Sequence, residues 1–95
     1  MNIKDQHSPD KQVSAKNIFE GSTGEVKAIQ LLSGGHLKEH ITKIPACLIC
    51  VKGHVVFENE KGVKETLTSG YYIKIEPMVK HWLNGKEDSQ LVLVK

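Results

Sequence analysis

A chain of 95 residues is one domain at most, and a domain that small buries only roughly 60–65% of the surface its unfolded chain exposes, so its own core is thin. Thirteen basic residues against eleven acidic ones leave a formal charge of +2, too weak to point to nucleic acid. The five aromatics (Phe19, Phe57, Tyr71, Tyr72 and Trp82) have no basic stripe between them, which argues against an oligonucleotide-binding barrel.

Two cysteines do not make a disulfide framework. The polar opening "MNIKDQHSPDKQ" lacks the apolar segment of a signal peptide, and no apolar run approaches the roughly 20 residues that span a bilayer. A soluble cytoplasmic protein with no membrane partner is the expectation. Residues 1–12 read as a flexible tail, because their composition offers little that could offset the entropy of ordering them. Residues 13–95 read as a single domain.

From Ser14 onward the chain breaks into short apolar or alternating runs. A short helical turn near Ser14–Phe19 is the only helical signal. "EVKAIQLL" (25–32) follows, then Ser33-Gly34-Gly35, "HLKEHI" (36–41) and "ACLICV" (46–51). Past the Lys52-Gly53 turn come "HVVFE" (54–58), "VKETL" (63–67), "YYIKI" (71–75), "HWL" (81–83) and "SQLVLV" (89–94), most of them bounded by glycine. Strand-prone segments at near-regular spacing with glycine punctuation predict an all-β sandwich or barrel. Asn84-Gly85 carries the composition of a two-residue hairpin turn, since both residues accept positive φ cheaply.

"CLIC" followed by His54 has the lettering of half a zinc site. On a strand, however, Cys47 and Cys50 are an odd number apart and point to opposite faces, so two buried thiols acting as small hydrophobes is the simpler reading. His36 and His40, an even number apart, share a face with Lys38 and Thr42 if the strand is regular.

The turn spacing says more than any one residue. From Gly34 the pattern is Gly, five residues, His40, one residue, Thr42, three residues, Ala46, six residues, Gly53. Sixteen residues later Gly70, five residues, Glu76, one residue, Met78, two residues, His81 follow. Together these resemble the two motifs of the cupin family, Gly-x5-His-x-His-x3-4-Glu-x6-Gly and Gly-x5-Pro-x-Gly-x2-His-x3-Asn, over roughly residues 25–95. The resemblance implies a jelly-roll barrel of two antiparallel sheets.

In metal-binding cupins the ligands are the two histidines and glutamate of the first motif and the histidine of the second. Those positions hold His40, Thr42, Ala46 and His81, so two ligands of four remain. If half the ligands of a structural zinc site kept half of its roughly 10–16 kcal/mol, dissociation constants from about 100 μM to about 1 μM would follow. Weak binding of a divalent transition metal is the most that His40 and His81 imply, unless Cys50, on the inward face with Leu48, supplies a soft third ligand.

The function this implies is a small-molecule-binding cupin domain with a degraded metal site. Its ligand would sit in the barrel among His40, Thr42, Ala46, Leu48, Met78 and His81, with Lys38, Lys43 and Lys80 near the rim. The alternative is a metal-dependent cupin enzyme of dioxygenase or isomerase type, using His40, His81 and an unconventional third ligand. A homodimer is expected in either case, because Cys47, Ile49 and Val51 form an outward apolar row.

Overall fold

Regular alternation turns the apolar runs into strands with one face buried. The computed structural model describes all 95 residues. In chain order it contains β1 (Val13–Glu20), β2 (Glu25–Leu31), β3 (His36–His40), β4 (Ala46–Lys52), β5 (His54–Asn59), β6 (Lys64–Thr68), β7 (Tyr72–Ile75), β8 (His81–Gly85) and β9 (Ser89–Val94). One sheet has five strands in the order β1-β2-β9-β4-β7 and the other four in the order β3-β8-β5-β6. Every pairing is antiparallel. The sheets face each other as a jelly-roll sandwich, as the all-β expectation required, and no ladder of hydrogen bonds joins them into a closed cylinder. No helix is long and apolar enough to cross a membrane.

Along β4 the inward residues Ala46, Leu48 and Cys50 are buried while Cys47 and Ile49 are only half-buried on the outside. β8 and β9 repeat the alternation, with Leu83, Leu91 and Leu93 inward. These side chains meet Ile29 and Leu31 of β2, Phe57 of β5 and Ile75 of β7 in one apolar core. Each fully buried Leu or Phe contributes roughly 1.5–3 kcal/mol relative to exposure.

Two local expectations are corrected. The helical turn near Ser14–Phe19 is part of β1, whose residues pair with β2 from Val13↔Leu31 to Glu20↔Glu25. Sheet hydrogen bonding to a neighbouring strand outweighs a short run's weak helical preference. The N-terminal segment lies against β2. Ile3–Gln6 forms a 3-10 turn, His7 is buried, and the Gln30 side chain donates to the carbonyls of Ser8 and Lys11, both at 2.9 Å. Hydrogen bonds to a buried amide hold this segment where apolar composition could not.

Asn84-Gly85 is not a hairpin. Both residues stay inside β8, and β8 and β9 lie in different sheets, so the chain crosses over through Lys86–Asp88 instead. Glycine is needed at 85 because an added Cβ would lie 2.5 Å from the Leu32 carbonyl oxygen. Gly53 marks the other crossover, from β4 to β5, with φ +110° and a virtual Cβ 2.6 Å from Ser89 Cα. Ser89 is wholly buried there; its hydroxyl accepts from His54 N–H at 2.9 Å and donates to the Glu87 carbonyl at 2.8 Å. Gly53→Ala is therefore expected to lower stability by about 3 kcal/mol or more, through backbone strain added to overpacking. Gly62→Ala, which shares a positive φ of +85° but meets nothing within 4 Å, is expected to cost about 1 kcal/mol. Urea midpoints of the two variants check this; equal losses would mean that the crossover tolerates a side chain.

Candidate functional site

The end of the sandwich where β3 meets β8 is shaped by a bulge. His36 pairs with Asn84 and Leu37 with Leu83, but His40 pairs with His81, so three steps along β3 span two along β8. One extra residue at Lys38–Glu39 reverses the alternation beyond it. The regular face of His36, Lys38, His40 and Thr42 is consequently broken. His36 stays outside, its Nδ1 hydrogen-bonded to the Asn84 side-chain oxygen at 2.7 Å, whereas His40 turns in beside His81.

The two rings have centroids 4.1 Å apart and are tilted by 58°. His81 is 2% exposed and lies against Phe57 in a near-parallel stack at 5.6 Å, while His40 is exposed at the mouth. Each Nδ1 faces a backbone carbonyl: Lys38 for His40 at 3.1 Å and Val79 for His81 at 3.3 Å. A carbonyl only accepts, so in the neutral rings both Nδ1 atoms carry the proton and both Nε2 atoms keep their lone pairs. Burial lowers the proton affinity of His81; the Val79 carbonyl works in the opposite direction, and the His40 charge lowers it further.

Of the six residues expected around a ligand, the structure brings His40, Leu48 and His81 to one cavity, together with Ile29, Leu37, Ile75, Leu83 and Leu93. Its volume is about 10 Å³, space for a single water at most. Thr42 is buried nearby in sequence but does not line that cavity, and its Oγ1 has no partner. Ala46 lies in the core beside Ile75, again outside the lining. Met78 is 61% exposed on the loop before β8, where its N–H donates to the Thr42 carbonyl at 2.8 Å.

Met78 has φ +66°, the left-handed conformation that costs a side-chain-bearing residue about 1–2 kcal/mol. It occupies the position at which the second cupin motif has glycine, so the backbone bend is kept although the residue that relieves it is gone. Cys50 belongs to the apolar core, where burial raises its thiol pKa, and it does not join the imidazoles. No group of three or more His, Cys, Asp or Glu comes together to hold a metal ion. The carbonyl-anchored Nδ1 atoms suit metal ligation by Nε2. Two neutral nitrogens are nonetheless one short of the three protein ligands that catalytic zinc sites use, and the donor set does not fit a resident metal.

Phe57 as the ring that supports His81 was not anticipated, because a partner across the sheet leaves no mark in spacing. Also missed was a buried polar group on the outer face of the five-stranded sheet, formed by His7, Ser14, Gln30 and Gln90. Its signal was there: Gln30 and Gln90 each sit beside apolar residues in strands β2 and β9.

His7, like His81, has its pKa lowered first by burial, and then by Lys16. For both rings the folded-state value lies below the unfolded one of about 6.5, so the unfolded chain takes up more protons as the pH falls through that value. Their contribution to stability is complete above about pH 6.5 and is lost progressively below it. The urea midpoint is expected to be flat near pH 7–8 and to fall between about pH 6.5 and 5, with a shallower fall in His81→Gln. A midpoint that is level or rises on acidification would contradict the burial of both rings.

No protein-family model matches the chain, and no curated protein matches its sequence. Solved structures do match its fold. A conserved protein of unknown function from Streptococcus pyogenes superposes with a TM-score of 0.83 at 15% identity, over 99% of this chain and 82% of that one. A cupin superfamily protein from Desulfitobacterium hafniense gives 0.83 at 12% identity, over 94% and 81%. A cupin-2 domain-containing protein from Shewanella frigidimarina gives 0.79 at 20% identity, over 100% and 92%. With its two antiparallel sheets, its open-ended sandwich and these neighbours, the chain has the cupin fold.

Proposed function

We propose that this is a small-molecule-binding cupin domain whose recognition element is the His40–His81 pair, with the ligand docked at the mouth of the sandwich. The observation that carries this reading is the pair of anchored imidazoles: both Nδ1–H groups are committed to carbonyls, and both Nε2 lone pairs are left without a protein donor. Two acceptors side by side call for a molecule that presents two donors, and a vicinal diol or other hydroxylated compound has that chemistry. A filled interior supports docking at the mouth over the expected enclosure in the barrel, since about 10 Å³ holds no organic molecule.

Titration with catechol, xylose and inorganic phosphate, followed through the histidine ring signals by NMR, tests the reading. A saturable shift of His40 and His81 by a hydroxylated probe near pH 7.5, lost in His40→Ala/His81→Ala, is the expected result. Silence of both rings toward all three would sink it. Zinc, nickel and iron added to tag-free protein are expected to bind no tighter than about 1 μM. Stoichiometric retention through dialysis would instead favour the metal-dependent enzyme.

We also infer a homodimer formed through the outer face of the five-stranded sheet. There Cys47 and Ile49 of β4 lie across from Val94 and Val92 of β9, and Tyr72 of β7 flanks Ile49. Val51, 45% exposed, sits in a bulge at the end of this row. Together they make an apolar surface that supports association. Light scattering at micromolar concentration is expected to give twice the mass of one chain, and Ile49→Lys with Val92→Lys to halve it. A monomeric mass for the unaltered protein would remove the dimer.

A further inference from the structure

The largest cavity lies outside the sandwich. It measures about 490 Å³ and is bounded by the N-terminal segment on one side and by the outer face of β2 and β9 on the other. That is within the range of small-molecule sites, roughly 300–1,000 Å³. Four charged side chains line it: Lys4, Lys52, Asp5 and Asp88. None of the four is in an ion pair, with each other or with any other residue. Asp88 uses one carboxylate oxygen to accept from Ser33 N–H at 2.9 Å.

The polar wall behind these charges is built rather than adventitious. Gln30 is 2% exposed, its amide nitrogen is shared between the Ser8 and Lys11 carbonyls, and its oxygen accepts from Gln90 Nε2 at 2.9 Å. His7 is 7% exposed and its Nδ1 is hydrogen-bonded to Ser14 Oγ at 2.7 Å. Two members of this wall are left with a buried polar atom that has no partner: His7 Nε2 and Gln90 Oε1. Buried polar atoms are nearly always paired, and these two are closed off within the wall, so the groups the cavity offers to a ligand are its four unpaired charges.

We infer that this cavity binds a small zwitterion, an amino acid or short peptide bearing one ammonium and one carboxylate. Lining charges of two cations and two anions give an ion of single sign as much repulsion as attraction. A zwitterion meets both signs at once and leaves the site neutral. Its ammonium has Asp5 and Asp88 for counter-charges. Its carboxylate has Lys4 and Lys52. The site shares no residue with the His40–His81 pair and stands independently of any function at the mouth.

Glycine, L-glutamine and glycylglycine, each titrated against the full chain at constant ionic strength, test the inference by NMR of the Gln30 and Gln90 side-chain amides. At least one zwitterion is expected to give a saturable shift, with acetate and ethylammonium giving none. Lys52→Ala and Asp5→Asn, both at exposed positions, are each expected to weaken that binding about tenfold. The His40 and His81 ring signals should stay in place. No saturable response to any of the three up to about 50 mM, an equal response to the single-charge controls, or unchanged affinity in both variants would overturn it and leave a cavity that holds water only.

Discussion

Ile29, Leu48, Ile75, Leu83 and Leu93 meet between the two sheets so closely that the cavity they line with the two imidazoles is about 10 Å³, and this close fit limits where a ligand could enter. Interior voids cost about 24 cal/mol per Å³, so a thin core gains by having none. A small domain has little stability to spare for a hollow. Polar side chains are displaced to the margins as a result: to the mouth, where His81 leans on Phe57, and to the outer face, where Gln30 is sunk beneath the N-terminal segment. In both places burial removes water from an imidazole and favours its neutral form.

Strand alternation made much of the fold legible. The inward set of β4, the existence and bounds of most strands, and the all-β class follow from period-two patterning and glycine punctuation, while the two sheets were what the cupin resemblance implied. The motif spacing was legible for a physical reason too. Gly34, Gly53 and Gly70, three of the glycines that define it, all have positive φ, so they mark backbone bends that the fold needs. Met78 keeps such a bend without the glycine, which shows that the geometry outlasts the residue suited to it.

What escaped the sequence was every departure from period two. A single extra residue in β3 separated His36 from His40, and another at Val51 turned Lys52 toward the outer cavity. Bulges have no reliable lettering, because what determines them is the partner strand's register. The crossovers at Gly53 and Gly85 read as a turn and as a hairpin for a similar reason: glycine serves a close approach to Ser89 or Leu32 as readily as it serves a tight turn. The contact of the N-terminal segment with β2 was hidden because hydrogen bonds to one buried glutamine, not hydrophobicity, hold it.

β9 is the middle strand of its sheet, between β2 and β4, yet it follows both in the chain. During synthesis the β1–β2 hairpin and the β4–β7 pair must wait as separate pieces, each with a bare edge, until Ser89–Val94 emerges to join them. Lys95 then locks the seam through reciprocal backbone hydrogen bonds with Glu25. Such long-range closure is slow and leaves unpaired strand edges open to other chains in the meantime. The period of greatest exposure to misassembly for this protein is therefore the interval before its ninth strand joins the two pieces.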